Sequence, residues 1–167
     1  MDGAASIESI PPETCIGKAV LVDLTPIAPK ERIGPERLAA VADRIEPGSR
    51  VILRTDWYRR AGSPEYRDAL PRVSRELADW FADRKIALLG VEPPSVADVH
   101  NIEEVTAVHQ VLLGAGIVIV EGLAHLDEIP GDTFELIVLP LRIPDGDGSP
   151  VRALAVVDEE STSLPEP

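Results

Sequence analysis

The chain has 167 residues and a formal net charge of −13, with 44% hydrophobic and 27% charged residues. That length suits one domain with a sizeable core, and the charge excludes partners that need a basic surface: no nucleic acid and no anionic membrane is expected to bind. The single cysteine, Cys15, excludes an internal disulfide. The start MDGAASIESIPPE lacks the basic and apolar regions of a secretory signal. No apolar run reaches the ~18 residues of a membrane span, so the reading is a soluble, cytoplasmic protein.

Ala19–Leu24 (AVLVDL) is a short apolar run closed by Asp23 and Pro26 and predicts a strand. Gly34–Ile45 spaces Leu38, Val41, Ala42 and Ile45 on one face, with Pro35 in the first turn, and predicts a helix. Arg50–Trp57 (RVILRTDW) predicts a second strand, followed by a polar loop. Ser74–Lys85 predicts a helix with Ser74 as N-cap and with Arg84 and Lys85 at its negative end. Ile86–Ser95 (IALLGVEPPS) predicts a third strand, stopped by two prolines. Asn101–Gly116 predicts a helix capped by Asn101, with Glu103 and Glu104 in its first turn and glycines at its end. Ile117–Leu123, Phe134–Ile143 and Val151–Val157 predict the remaining strands, and residues 158–167 a disordered tail.

Several of these strands are apolar without alternation, as strands covered on both faces are. Helices alternate with them in the middle of the chain, which predicts a single α/β layered domain over residues 1–157. Ile86–Leu89, Ile117–Val120 and Leu136–Leu139 are the expected central, buried strands. No phosphate-binding loop is present, because GAGIVIVEG follows a helix and precedes a strand, the reverse of the dinucleotide arrangement.

Two ionisable residues stand out. Ile102, Val105, His109, Leu112, Leu113 and Gly116 recur at helical spacing, which places His109 on the buried face. Glu121 ends the run Ile117–Val120, on a strand both of whose faces look covered. The plain alternatives are a core histidine holding a backbone carbonyl and a strand-end glutamate reaching water, Arg54 or Arg152. A buried carboxylate needs a cation, a donor or a metal. A helix, a two-glycine turn and a returning strand bring the two residues side by side, and imidazole with carboxylate suits Zn²⁺ or Mn²⁺. Two ligands are too few for a tight site, and neither His100 nor His125 forms a metal-binding spacing with His109. Asp56 and Trp57, at a strand end, read as a loop cap and a packing ring.

The pieces IGKAVLVDL, RVILRTDW, IALLGVEPPSV, VHQVLLGAGIVIVEGLAHLDEIP, FELIVLPLRI and DGDGSPVRALAVV, in that order, resemble the metal-dependent cyclase family, which includes kynurenine formamidase and isatin hydrolase. The resemblance runs from about Ile16 to Val157. It implies a swivelling β/β/α-type layered domain with a mixed, largely buried sheet, a homo-oligomer, a divalent metal (Zn or Mn) and a small-molecule amide substrate. It also implies that His109 and Glu121 are metal ligands. The family's other ligands lie in an N-terminal HxGTHxDxPxH motif that is not found before His100. The resemblance therefore implies an N-terminally truncated domain, with an HxGTHxD-like segment expected in the DNA upstream of Met1. Pro94 and Ser95 match a family turn beside the pocket, with Glu92 where the family has aspartate. The functions that follow are a metal-dependent hydrolase of amide or cyclic-amide bonds, incomplete as this chain, or a non-catalytic remnant or binding module on the same scaffold.

Overall fold

The structure, a computed structural model, describes residues 6–157, so the tail expected over residues 158–167 lies outside the described residues. A 3-10 turn (Ile7–Ser9) is followed by helix α1 (Pro12–Cys15), strands β1 (Ile16–Asp23) and β2 (Arg32–Ile33), a 3-10 helix (Pro35–Arg44), strand β3 (Arg50–Arg54) and a 3-10 turn (Trp57–Arg60). Helix α2 (Pro64–Asp68), strand β4 (Arg72–Val73), helix α3 (Arg75–Arg84), strand β5 (Leu88–Val91) and helix α4 (Ile102–Gly114) come next. Strand β6 (Val118–Val120), a 3-10 turn (Leu126–Glu128) and strands β7 (Thr133–Ile137) and β8 (Leu154–Val156) complete the described residues.

Six strands form one mixed sheet in the order β6-β5-β3-β1-β7-β8, and β2 and β4 form a small ladder of their own. Strands β1, β3, β5 and β6 run parallel, and β7 and β8 join antiparallel. From β1 the chain steps outward in one direction, to β3, then β5, then β6. Right-handed crossovers taken in one direction put their helices on one face. That face packs Val20, Val22, Val51, Leu53, Leu89 and Val91 of the strands against Leu38, Leu77, Phe81, Val108 and Leu112. The opposite face packs Ala19, Leu21, Ile52 and Leu88 against Cys15, Leu123 and Leu126. The alternation within β1 and β3 thus feeds two apolar layers, which is why these strands read as continuous apolar runs.

Local signals account for the element ends. The Ser74 hydroxyl accepts from the Leu77 N–H at 3.1 Å, and the Asn101 side chain accepts from the Glu104 N–H at 3.1 Å, so each helix begins on a side-chain cap. Lys85 closes α3 in the left-handed conformation, with φ of 54°.

The structure corrects the sequence reading at several places. The segment expected as an α-helix over Gly34–Ile45 is 3-10 throughout Pro35–Arg44, and only Leu38 is buried; at three residues per turn Leu38 and Val41 already share a face. The loop after Trp57 contains α2 and β4. Ile117–Val120, expected to be central, supplies an edge strand, β6, although Ile117 and Val120 are buried; its apolarity serves two faces rather than two neighbours. Leu139, expected in a buried strand, is exposed because β7 ends at Ile137.

The buried face of α4 is also rotated from the expected one. Val108 and Leu112 are its buried residues, whereas Ile102 is 75% exposed. This yields a contrast measurable by urea denaturation. Leu112→Ala, at 0% exposure, should cost ~2–5 kcal/mol of stability. Ile102→Ala should change stability by no more than ~0.5 kcal/mol.

Candidate functional site

Because β1, β3, β5 and β6 run parallel in one sheet, their carboxyl ends share one edge. Asp23 ends β1, Asp56 follows β3, Glu92 follows β5 and Glu121 follows β6. The outer side of such an edge is where open α/β sheets bind ligands. The acids there differ in what neutralises them. Arg54 holds both Asp23, at 3.0 Å, and Asp56, at 2.9 Å. Asp56 is left-handed, with φ of 55°, and its side chain makes no cap, being held by Arg54 and Arg59 instead; Trp57 behind it is fully buried, the packing ring expected. Glu92 is held by the backbone and hydroxyl around Thr55.

Glu121 meets His109. Its Oε1 lies 3.7 Å from His109 Nε2, and the two side chains are 33% and 28% exposed. The structure therefore brings the two predicted site residues together. It corrects the expectation that both are buried: His109 flanks the packed face of α4 that Val108 and Leu112 form, and Glu121 lies just past the edge strand. Neither Arg54 nor Arg152 reaches Glu121. Its partner is the Val96 N–H, which donates to Oε1 at 2.9 Å.

The orientation of the histidine is set by its own helix. Nδ1 lies 2.8 Å from the Val105 carbonyl oxygen. A carbonyl only accepts, so Nδ1 carries a hydrogen, and because the Glu121 oxygen facing Nε2 also only accepts, the approach favours the protonated ring. The plain reading of His109 holds at one nitrogen, which binds a backbone carbonyl, and the other nitrogen faces Glu121. The Glu121 carboxylate beside Nε2 holds the imidazole above its ordinary range, partial burial pulls it down, and the Val105 carbonyl adds to the rise. Helix α4 is itself pinned at its start, where the Arg72 guanidinium meets Glu104 at 2.7 Å.

As donors the pair fits a divalent ion in type and spacing. A nitrogen and an oxygen each ~2.0–2.2 Å from one ion lie at a separation compatible with the 3.7 Å observed. It falls short in number: among the described residues no group of three His, Cys, Asp or Glu side chains converges on a point. The other histidines are engaged elsewhere. His100 meets Asp68 at 2.8 Å and His125 meets Glu128 at 3.0 Å, both exposed. Sequence reasoning missed the Val96 amide that holds Glu121 and the donors around Thr55 that hold Glu92. The available signal for Glu92 was the one that exposed Glu121, an acid closing an apolar strand.

Comparisons with known proteins bear on this geometry. The cyclase family matches residues 1–98, which lie N-terminal to both His109 and Glu121. A kynurenine formamidase of Bacillus thuringiensis (strain Al Hakam) is 36% identical over 139 residues, covering 83% of this chain and 62% of that protein. A kynurenine formamidase of Salinibacter ruber is 33% identical over 149 residues, covering 88% of this chain and 66% of that protein. The chain thus spans 62–66% of the length of these relatives. Isatin hydrolase A from Labrenzia aggregata superposes with a TM-score of 0.79 at 28% identity, over 92% of this chain and 66% of that one. A structure described as a potential metal-dependent hydrolase with cyclase activity superposes with a TM-score of 0.77 at 27% identity, over 93% of this chain and 72% of that one. Among the described residues, no helix is long and apolar enough to cross a membrane.

The raised histidine makes a pH prediction. A group whose folded-state value exceeds its unfolded value of about 6.5 contributes stability that is fully present below that value and is lost as pH rises through the raised one. Glu121→Gln should therefore remove more stability at pH 6 than at pH 9, and should return the His109 ring signal, followed by NMR, toward its ordinary midpoint. Unchanged titration of His109 in Glu121→Gln would show that the carboxylate does not act on the ring.

Proposed function

Because the chain belongs to the cyclase family, we propose that it is built to serve a metal-dependent hydrolase of amide or cyclic-amide bonds, with His109 and Glu121 as two of the metal's protein donors. The observation that supports this reading is the approach of His109 Nε2 to Glu121 Oε1 at 3.7 Å. Zn²⁺ and Mn²⁺ are the ions that suit this donor pair. A divalent ion held there would supply a Lewis acid and a source of hydroxide at neutral pH. The chain's own part is orientation. Val105 fixes the imidazole tautomer, and the Val96 N–H holds one carboxylate oxygen while leaving the other open. The names of the relatives point to small aromatic amides as the substrate class: N-formylkynurenine for the formamidases and isatin for the hydrolases.

The lack of a third convergent donor among the described residues favours a second reading, a binding module on the same scaffold. Catalytic sites of this kind keep three protein ligands, and two leave most positions to water. The expected outcome is weak binding of Zn²⁺ or Mn²⁺ by titration calorimetry, lost in His109→Ala, with slow or no turnover of N-formylkynurenine or isatin. Tight binding of one ion per chain, with rapid turnover that His109→Ala abolishes, would show that the site is complete. Binding unaffected by His109→Ala would remove the pair from the site.

A homo-oligomer is also proposed. Leu139, Leu141, Val151, Leu154 and Val156 are exposed on and around the outer strand β8, which among the described residues pairs only with β7. An open apolar strand edge favours pairing with another chain. Sedimentation should show a species larger than a monomer, and Leu154→Lys should shift it toward the monomer.

A further inference from the structure

Glu92 is the one acidic residue that is fully buried among the described residues, at 0% exposure. Its Oε2 accepts three hydrogen bonds: from the Thr55 N–H at 2.8 Å, the Thr55 hydroxyl at 2.7 Å and the Trp57 N–H at 3.0 Å. Its Oε1 has no partner among the described residues. A buried, unpartnered carboxylate oxygen is costly. Burial pushes the Glu92 carboxyl up, against the three donors that pull it down.

The backbone that follows Glu92 grips the segment that carries Glu121. The Val91 carbonyl accepts from the Leu123 N–H at 3.0 Å, and the Pro93 carbonyl from the Gly122 N–H at 3.0 Å. The Val96 N–H donates to Glu121 Oε1 at 2.9 Å. The Glu92 carbonyl accepts from the Tyr66 hydroxyl at 2.9 Å. Residues 91–96 thus form a clamp on residues 121–123, and one side chain ties that clamp to the end of β3. Val96 is held from its other side too, where its carbonyl accepts from the Val73 N–H at 2.9 Å.

We propose that Glu92 is a positioning residue for Glu121: its carboxyl locks residues 92–96 to the end of β3, so that the Val96 amide aims the Glu121 carboxylate at His109. This rests on reading His109 and Glu121 as the site, but it concerns a hydrogen-bonded geometry that can be followed without metal.

Amide hydrogen exchange by NMR tests it, comparing the Val96 amide with the Leu112 amide inside α4. Glu121→Ala removes the acceptor and sets the upper limit of Val96 exchange. Glu92→Asp keeps the acid but is one methylene shorter, so it cannot hold all three donors in place. It should speed Val96 exchange by about tenfold or more while leaving Leu112 within about threefold of the wild type. Glu92→Gln keeps the length and one acceptor oxygen, and should rescue Val96 protection to within about threefold. Val96 exchange unchanged in Glu92→Asp would overturn the proposal. So would Val96 and Leu112 rising by the same factor, because Glu92 would then stabilise the fold as a whole. Absence of metal binding in the wild-type chain would count against the functional reading and leave this exchange pattern as predicted.

Discussion

The parallel run of β6, β5, β3 and β1 is the constraint on which the rest of the structure depends. Four strands that point the same way must deliver four carboxyl ends to one edge, and in this chain each of those ends carries or adjoins an acid. Coulomb repulsion among close carboxylates is strong wherever water is thin, so such an edge stands only if each acid is separately satisfied. The chain does this in three ways. Arg54 neutralises Asp23 and Asp56 together. Glu92 is enclosed by N–H and O–H donors and pushed toward its neutral form. Glu121 keeps an amide and an imidazole, with one oxygen open.

That difference is why Glu121 is the member of the set proposed to bind a ligand. A guanidinium spends its donors on the acids it pairs with, and a buried acid among donors is closed to ligands. Only at Glu121 does an imidazole nitrogen approach the carboxylate, and the oxygen it approaches is the one that the Val96 amide holds. The helix that supplies the nitrogen is pinned at its start by Arg72 and Glu104 and packed through Val108 and Leu112. The ring is therefore held by tertiary contacts at both ends of its helix as well as by the Val105 carbonyl.

Much of this was legible in the sequence because the signals are local. Ser74 and Asn101 announce their helices by side-chain caps, and the apolar runs in Ala19–Leu24 and Ile86–Ser95 announce the strands found at Ile16–Asp23 and Leu88–Val91. The pairing of His109 with Glu121 was legible too, since a helix and the strand that follows it after a tight turn lie side by side. What was not legible depends on distant partners. Periodicity placed His109 in the middle of the buried face, but the neighbours of α4 rotate that face toward Val108 and Leu112. Apolar content made Ile117–Val120 look central, although strand order is set by crossovers that no single run of residues reveals. The Val96 amide is invisible to any reading of side-chain types, because it acts through its backbone.

The central claim is that His109 and Glu121 form one half of a metal centre. Crystals of the protein soaked in Zn²⁺ or Mn²⁺ and measured by anomalous diffraction test it most directly. The account predicts an anomalous peak about 2.0–2.2 Å from His109 Nε2 and from a Glu121 oxygen, lost in crystals of His109→Ala. A peak bonded to other residues, or none at this pair while the side chains keep their 3.7 Å approach, would contradict it.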